Sequence, residues 1–216
     1  MTKQYYSFTF LLLTLLFCIC LIVSNLMEIK VVDLGFITVT AGVTVFPLSY
    51  IINDCIVELY GFQKARMVIW LGFAMNLLVS LLLQIGIWLP GVASWEGQEA
   101  MQLIFGAVPR IFAASFIAFL CGSLANAYVM HRMKTAAGGK GRFSVRAIVS
   151  TLWGEGIDSI IFFPIAFAGV LHVSVIIELI ITQILLKTGY EIIILPITVR
   201  TVKFLRKVEK SSPVSV

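Results

Sequence analysis

Several ionisable side chains of this sequence lie inside or beside long apolar stretches, where such groups are rare. Glu155 and Asp158 are three residues apart, so a helix would place both carboxylates on one face, and Lys187 lies in a later apolar stretch. Each ionisable group costs about 2.5–3.5 kcal/mol at the centre of a membrane-spanning helix. The acids in or near these stretches are Asp54, Glu58, Glu155, Asp158, Glu178 and Glu191. Glu58 and Glu178 could simply lie at the membrane interface, but some of the other acids must hold protons or meet a ligand that is rich in hydrogen-bond donors or positive charge.

An acid pair that faces a lysine across a helix bundle suits a purine-like ligand. A carboxylate can accept from the adjacent N–H and NH₂ donors of a guanine-like edge, and Lys187 can donate to the ring carbonyl. Taken alone, the residues leave other interpretations open. Lys187 could form an ion pair with Glu191 or another acid that only fixes packing, and Glu155 with Asp158 could be a neutralised or water-linked pair. Trp153 could stack on a flat ring or anchor its helix at the membrane interface.

The composition assigns these side chains to a membrane protein. Of the 216 residues, 60% are hydrophobic and 12% are charged, with a mean hydropathy of +1.02. Ordinary soluble domains are about 45–50% apolar and about 25% charged. The composition excludes soluble enzymes, nucleic-acid readers and secreted scaffolds. It predicts an all-α polytopic membrane protein with a single transmembrane domain over residues 1–216. The four cysteines and two histidines lack metal-ligand spacing, so no metal or other cofactor is expected.

Six apolar runs approach the length of about 20 residues that a helix needs to cross a bilayer. They are residues 8–23, 36–60, 67–89, 111–130, 147–170 and 173 to beyond 195. Basic residues concentrate in cytoplasmic loops, and an inside N-terminus puts 13 of the 16 Lys and Arg on the inner side. The sequence therefore predicts six transmembrane helices with both termini in the cytoplasm (N-in/C-in). The acids predicted on the outer side are Glu28, Asp33, Glu96 and Glu99.

Prolines and glycines are expected to open space around the acids. Pro47, Pro164 and Pro196 each lack an N–H and free the carbonyl four residues earlier. At membrane depth such a carbonyl needs a partner or a water-filled cavity. Gly154 and Gly156, on either side of the first acid of the pair, would let a second helix or a flat ligand approach closely.

Short segments spread along the chain carry a family resemblance. They are Ser24-Asn25 with Lys30, Phe46-Pro47-Leu48, Asn53-Asp54, Glu58-Leu59-Tyr60-Gly61, Ala65-Arg66, Gln102-Leu103-Ile104-Phe105-Gly106 with Pro109-Arg110, Ser150-Thr151-Leu152-Trp153-Gly154 with Asp158, and Lys187-Thr188-Gly189-Tyr190-Glu191 with Leu195-Pro196. In these segments the sequence resembles the vitamin-uptake-like (VUT) family of queuosine precursor transporters. The resemblance implies six helices, a bacterial inner-membrane location and import of 7-cyano-7-deazaguanine and 7-aminomethyl-7-deazaguanine. It also implies an architecture similar to the substrate-binding subunits of energy-coupling-factor vitamin importers.

On this basis we predict a substrate-binding set and no catalytic residues. The set is Asn25, Lys30, Asp54, Trp153, Glu155, Asp158, Lys187 and Glu191. Asp158 and Glu155 would bind the donor edge of the ring, and Lys187 would bind its carbonyl. Asn25 and Lys30 would help to close the outer side, while Asp54 and Glu191 would line the inner path or couple a proton. The expected partners are a small-molecule 7-deazapurine and membrane lipid, without nucleic acid. Proton or ion coupling and a homo-oligomer stay open.

Two other functions are weighed against a solitary carrier. The first is the binding subunit of an energy-coupling-factor type importer for a purine-like vitamin, which would dock through small residues spaced four apart on its first helix. Residues 10–20 read FLLLTLLFCIC, and such bulky side chains block close helix approach. The second is an intramembrane enzyme, which is disfavoured because the sequence lacks Gly-x-Gly-Asp, Gly-x-Ser-Gly and His-Glu-x-x-His motifs.

Overall fold

Helices dominate the fold, with one small β-hairpin near the end of the first helix. The computed structural model describes residues 7–35, 37–92, 94–136 and 143–211. The elements in chain order are α1 (Phe8–Met27), β1 (Val31–Asp33), β2 (Thr38–Thr40), a 3-10 turn (Ala41–Thr44), α2 (Phe46–Tyr60), α3 (Phe62–Trp88), α4 (Gln98–Phe105), α5 (Val108–Ala136), α6 (Phe143–Phe167) and α7 (Val173–Ser211). Lys3, Lys140 and Arg142, which count among the basic residues of the predicted inner side, lie outside the described residues.

The described helices make the chain a multi-pass membrane protein. Four segments are long and apolar enough to cross a bilayer, and they are Phe8–Met27, Phe62–Trp88, Gln98–Asn126 and Val173–Tyr190. Helix α2 has 15 residues and is therefore only about 22 Å long, which is less than the hydrocarbon thickness of about 30 Å. Helix α6 carries Glu155 and Asp158 in its central turns, which lower its hydropathy. By length and composition alone, the described residues thus contain four candidate spans, against the predicted six.

The predicted second span, residues 36–60, is wrong as a single helix. Residues Thr38–Thr40 instead form β2, which pairs antiparallel with β1 so that Val32 lies opposite Val39. The β-branched residues of both strands favour this extended conformation, and helix α2 begins only at Phe46. Pro47 consequently lies in the first turn of α2, where its missing N–H has no helical partner in any case. The loss of a helical hydrogen bond that was predicted at this proline does not occur.

Helix α1 continues to Met27, four residues beyond the predicted end of its apolar run at residue 23. The Ser24 hydroxyl donates to the carbonyl of Leu21 at 3.0 Å, so its polar group is satisfied within the helix. Glu28 follows as the C-cap, and its N–H donates to the carbonyl of Ser24 at 2.9 Å. Only 1% of Glu28 is exposed. The longer helix carries the Glu28 side chain into the bundle, and its predicted position on the outer side stays a prediction.

Helices α5 and α6 pack closely because two glycines face each other across their interface. A Cβ added at Gly122 would lie 2.8 Å from the carbonyl oxygen of Gly154 and 3.0 Å from the Cβ of Asp158. A Cβ added at Gly154 would lie 2.9 Å from the Cβ of Asn126. Only glycine allows helices to approach at this distance. The approach holds the face of α6 that carries Asp158 against α5.

We expect Gly154→Ala to lower the thermal unfolding temperature of the purified protein in detergent. The new methyl group would have to displace Asn126 or the backbone of Gly122, and overpacking of this kind costs about 1–3 kcal/mol. Gly156→Ala is the matched control, because a Cβ there would meet nothing within 4 Å and alanine is the better helix former. Equal unfolding temperatures for the two variants would contradict the close packing of α5 on α6.

Two buried apolar clusters hold the bundle together, and α7 contributes to both. One cluster joins α1, α2 and α3 with Val202 of α7. The other joins α5 and α6 with Ile176 and Leu179 of α7. The polar residues Gln183 and Lys187 lie between these points along the same helix. Helix α7 thus fixes two polar side chains between two apolar clusters.

Candidate functional site

Lys187 is the centre of a charge cluster between α6 and α7. Its Nζ lies 2.8 Å from Oδ2 of Asp158 and 3.0 Å from Oε2 of Glu155. The two acids are one turn apart on α6, so one ammonium group can contact both. The exposed fractions of the side chains are 8% for Lys187, 16% for Glu155 and 22% for Asp158. The structure therefore brings the predicted acid pair and the predicted lysine together in one place with little exposure.

A third helix helps to position the lysine. The ring of Phe46, at the start of α2, has its centroid 5.0 Å from Nζ of Lys187. An ammonium group over an aromatic face gains about 0.5–2 kcal/mol, depending on how far it is desolvated. The lysine is consequently held from α2 and α6 at once, which leaves its ammonium group little freedom to turn away from the acids.

Two cavities share this cluster as a common wall, since Asp158, Gln183 and Lys187 line both. The larger cavity has a volume of about 570 Å³, which is within the range of about 300–1,000 Å³ for small-molecule sites. The smaller cavity has a volume of about 80 Å³ and is mostly apolar apart from the cluster, Glu28 and a few hydroxyl and amide groups. The other polar side chains of the larger cavity include Asn53, Asp54, Asn126, Thr151, Glu155 and Tyr190.

The chemistry of the walls suits a flat, polar ring. Glu155 and Asp158 offer carboxylate oxygens as acceptors, and Lys187 offers donors only. The rings of Phe46 and Phe119 line both cavities and supply apolar surface for the faces of such a ligand. Within the described part of the chain, no group of three or more His, Cys, Asp or Glu side chains could hold a metal ion.

The other predicted site residues have different positions. Asp54 lines the larger cavity together with the cluster. Asn25 is 1% exposed and lines neither cavity, and neither polar atom of its amide has a hydrogen-bond partner among the described residues. Lys30 is exposed and lines neither cavity. Trp153 is 58% exposed and also lines neither, a position that fits anchoring better than stacking. The side chain of Glu191 lies outside the described part of the structure, so its role stays a prediction.

Three residues at the site were not among the predicted set. Gln183 lies one turn before Lys187 on α7 and is 3% exposed, so its spacing of four from the lysine could have identified it. Glu28 lies beyond the predicted end of the first apolar run, so nothing in the sequence signals its burial. Phe46 gives no such signal, because its contact with Lys187 depends on where α2 begins.

Comparison with known protein families assigns the chain to one of them. The sequence model of a family described as a putative vitamin uptake transporter matches residues 40–201. The chain belongs to this family. The matched range includes Asp54, Glu155, Asp158 and Lys187, whereas Asn25, Glu28 and Lys30 precede it. The family resemblance that was predicted from short segments is confirmed.

Individual proteins related to this chain have names that are more specific than the description of the family. The probable queuosine precursor transporter of Bacillus subtilis is 28% identical over 189 residues, covering 88% of this chain and 82% of that protein. The queuosine precursor transporter of Escherichia coli is 31% identical over 154 residues, covering 70% of this chain and 66% of that protein. The probable queuosine precursor transporter of Haemophilus influenzae is 28% identical over 128 residues, covering 59% and 52%. These relatives are named as transporters rather than enzymes. No solved structure matches the chain.

Proposed function

We propose that this protein imports the queuosine precursors 7-cyano-7-deazaguanine and 7-aminomethyl-7-deazaguanine through its larger cavity. The observation that carries the proposal is the convergence of Glu155, Asp158 and Lys187 on the wall of a cavity of about 570 Å³. The carboxylates accept hydrogen bonds from the ring N–H and the amino group of the guanine-like edge. Lys187 donates to the ring carbonyl. The names of the relatives support the same substrate class.

The contacts at the two ends of the bundle support transport by alternating access. At one end the N–H of Thr38 in β2 donates to Oε1 of Glu178 in α7 at 3.0 Å. At the other end Arg206 of α7 forms an ion pair with Glu58 of α2. In this proposal the two ends open in turn while the cluster around Lys187 holds the substrate between them. Asp54, on the wall of the larger cavity, lines the path or carries a coupled proton.

The proposed topology has six spans, formed by α1, α2, α3, α5, α6 and α7, with both termini in the cytoplasm of a bacterial inner membrane. The short α2 crosses together with the hairpin and 3-10 turn that precede it. The ion pair between Arg206 and Glu58 supports this arrangement, because it joins the ends of α7 and α2 that the topology places on the same side. The basic residues Lys203, Arg206 and Lys207 then lie on the cytoplasmic side, as the positive-inside rule requires.

Uptake in a bacterial strain that cannot make the precursors tests this function. Cells that produce the protein should take up a supplied precursor and restore queuosine in tRNA, whereas cells with the empty vector should not. Excess guanine should reduce uptake because it offers the same ring edge, and excess adenine should not because it lacks the carbonyl. Absence of queuosine in cells whose membranes contain the protein would contradict the proposal.

The surface of α1 favours a solitary carrier over the binding subunit of a larger importer. Its exposed side chains include the bulky Leu11, Leu15 and Ile19 at 49%, 61% and 55% exposure. Such residues keep a partner helix at a distance, whereas small residues would allow close docking. Uptake by liposomes that contain the purified protein alone is expected. Dependence of uptake on a co-purifying ATPase would favour the subunit instead.

A further inference from the structure

The two cavities hold more acidic than basic side chains. The carboxylates on their walls belong to Glu28, Asp54, Glu155 and Asp158, and among the described residues the basic side chain on these walls is Lys187 alone. Lys187 already contacts two of the four carboxylates, at 2.8 Å and 3.0 Å. Uncompensated buried charge is costly. The excess of acids therefore indicates a ligand that brings positive charge with it.

Glu28 has one carboxylate oxygen that is buried without a hydrogen-bond partner among the described residues. It lines the smaller cavity and is 1% exposed. An unsatisfied buried group costs about 1–3 kcal/mol, and more when it is charged. Glu28 also caps the C-terminus of α1, where the helix dipole disfavours negative charge. A positively charged donor at this carboxylate would relieve both penalties.

The 3-10 turn after the hairpin fixes the carboxylate in this position. Gly42 packs so closely on the Glu28 side chain that a Cβ at Gly42 would overlap the carboxylate and lie 2.9 Å from the carbonyl oxygen of Ser24. Glu28 lines the smaller cavity together with Asp158 and Lys187. Glu28 thus faces the same cavity as the charge cluster, although it lies outside α6 and α7.

We propose that Glu28 binds a protonated primary amine of the substrate, so that this protein prefers the 7-aminomethyl compound to its uncharged 7-cyano analogue. The inference rests on the proposed function and adds a specificity-determining residue to it. On the bicyclic ring, the 7-substituent lies next to the carbonyl that Lys187 binds in our proposal. Because Lys187 lines both cavities, a ring held there can direct its substituent towards Glu28. An ammonium group then donates to the carboxylate, whereas a nitrile has no donor.

Equilibrium binding to the purified protein tests this preference with three labelled ligands. They are the 7-aminomethyl compound, the 7-cyano compound and 7-deazaguanine, which has no 7-substituent. We expect the intact protein to bind the amine at least about tenfold more tightly than the nitrile, as one charged hydrogen bond allows. Glu28→Gln should remove most of this preference by weakening amine binding alone. Gly42→Ala, which displaces the carboxylate without removing it, should also reduce the preference, whereas Glu99→Gln on exposed α4 should not.

The possible failures of this experiment can be distinguished. Equal affinity of the intact protein for amine and nitrile would overturn the role of Glu28 and leave the proposed function standing. A preference that survives in Glu28→Gln, with normal binding of 7-deazaguanine, would also overturn that role. If none of the three ligands bound the intact protein, the proposed function would fail as well. The comparison within the intact protein can overturn the proposal even if both variants fail to fold.

Discussion

Replacing Lys187 with alanine is expected to abolish uptake of the 7-deazaguanine precursors. The substitution removes the donor for the ring carbonyl and leaves the carboxylates of Glu155 and Asp158 without their shared cation. The lost hydrogen bond from the charged ammonium group to the substrate contributes about 1.5–3 kcal/mol, which corresponds to a loss of at least about tenfold in affinity. Queuosine in tRNA, measured in cells that depend on supplied precursor, should fall to the level of the empty vector.

Two further variants separate loss of the site from loss of the fold. Lys187→Arg keeps the positive charge but changes its geometry, so it should preserve the bundle and still impair uptake. Lys203→Ala is the matched control, because Lys203 is an exposed lysine on the same helix, four turns later. Near-normal uptake by Lys187→Ala at equal protein levels in the membrane would contradict the assignment of Lys187 to the site.

Replacing Asp158 with asparagine is expected to have the second-largest effect. The amide of asparagine is nearly the same size as the carboxylate but lacks the charge that lies 2.8 Å from Lys187 Nζ. Its NH₂ group is also a hydrogen-bond donor and cannot accept from the N–H donors of the ring. We expect uptake to fall at least about tenfold, since hydrogen bonds to charged groups contribute about 1.5–3 kcal/mol each. Glu155→Gln should have a smaller effect, because Asp158 lines both cavities and Glu155 lines only the larger one.

The control for these acid variants is a carboxylate of the same chain outside the site. Glu99→Gln changes an exposed acid in the first turn of α4 and should leave uptake unchanged. If Asp158→Asn transported as well as Glu99→Gln, Asp158 would have only a structural role in holding Lys187. If Asp158→Asn lost uptake but kept a normal unfolding temperature, the loss would come from the site rather than from the fold.

The positions of the central charged residues could be predicted from the sequence because each follows from local rules. The spacing of Glu155 and Asp158 puts both on one helix face, and the scarcity of other cations in the apolar runs makes Lys187 their natural partner. The structure shows that these three side chains meet. The membrane character of the chain follows in the same way from composition, without any knowledge of how the helices pack.

Features that depend on contacts between helices could not be predicted in this way. The burial of Glu28 requires α1 to extend past Ser24 and Gly42 to pack on its carboxylate. An apolar run gives no sign of this, since hydropathy places an acid after a span at the surface. The run of residues 36–60 is long enough to predict one span, yet β-branched residues and a glycine divide it into a strand, a turn and a short helix. The start of α2 in turn decides that Phe46 contacts Lys187.

An experimental structure of the purified protein with bound 7-aminomethyl-7-deazaguanine would test the proposed site most directly. We predict ligand density in the larger cavity, with the ring carbonyl within hydrogen-bond distance of Lys187 Nζ and the N–H edge on Asp158 and Glu155. Ligand density elsewhere on the protein would contradict the account. A ligand that makes no contact with Lys187, Asp158 or Glu155 would also contradict it.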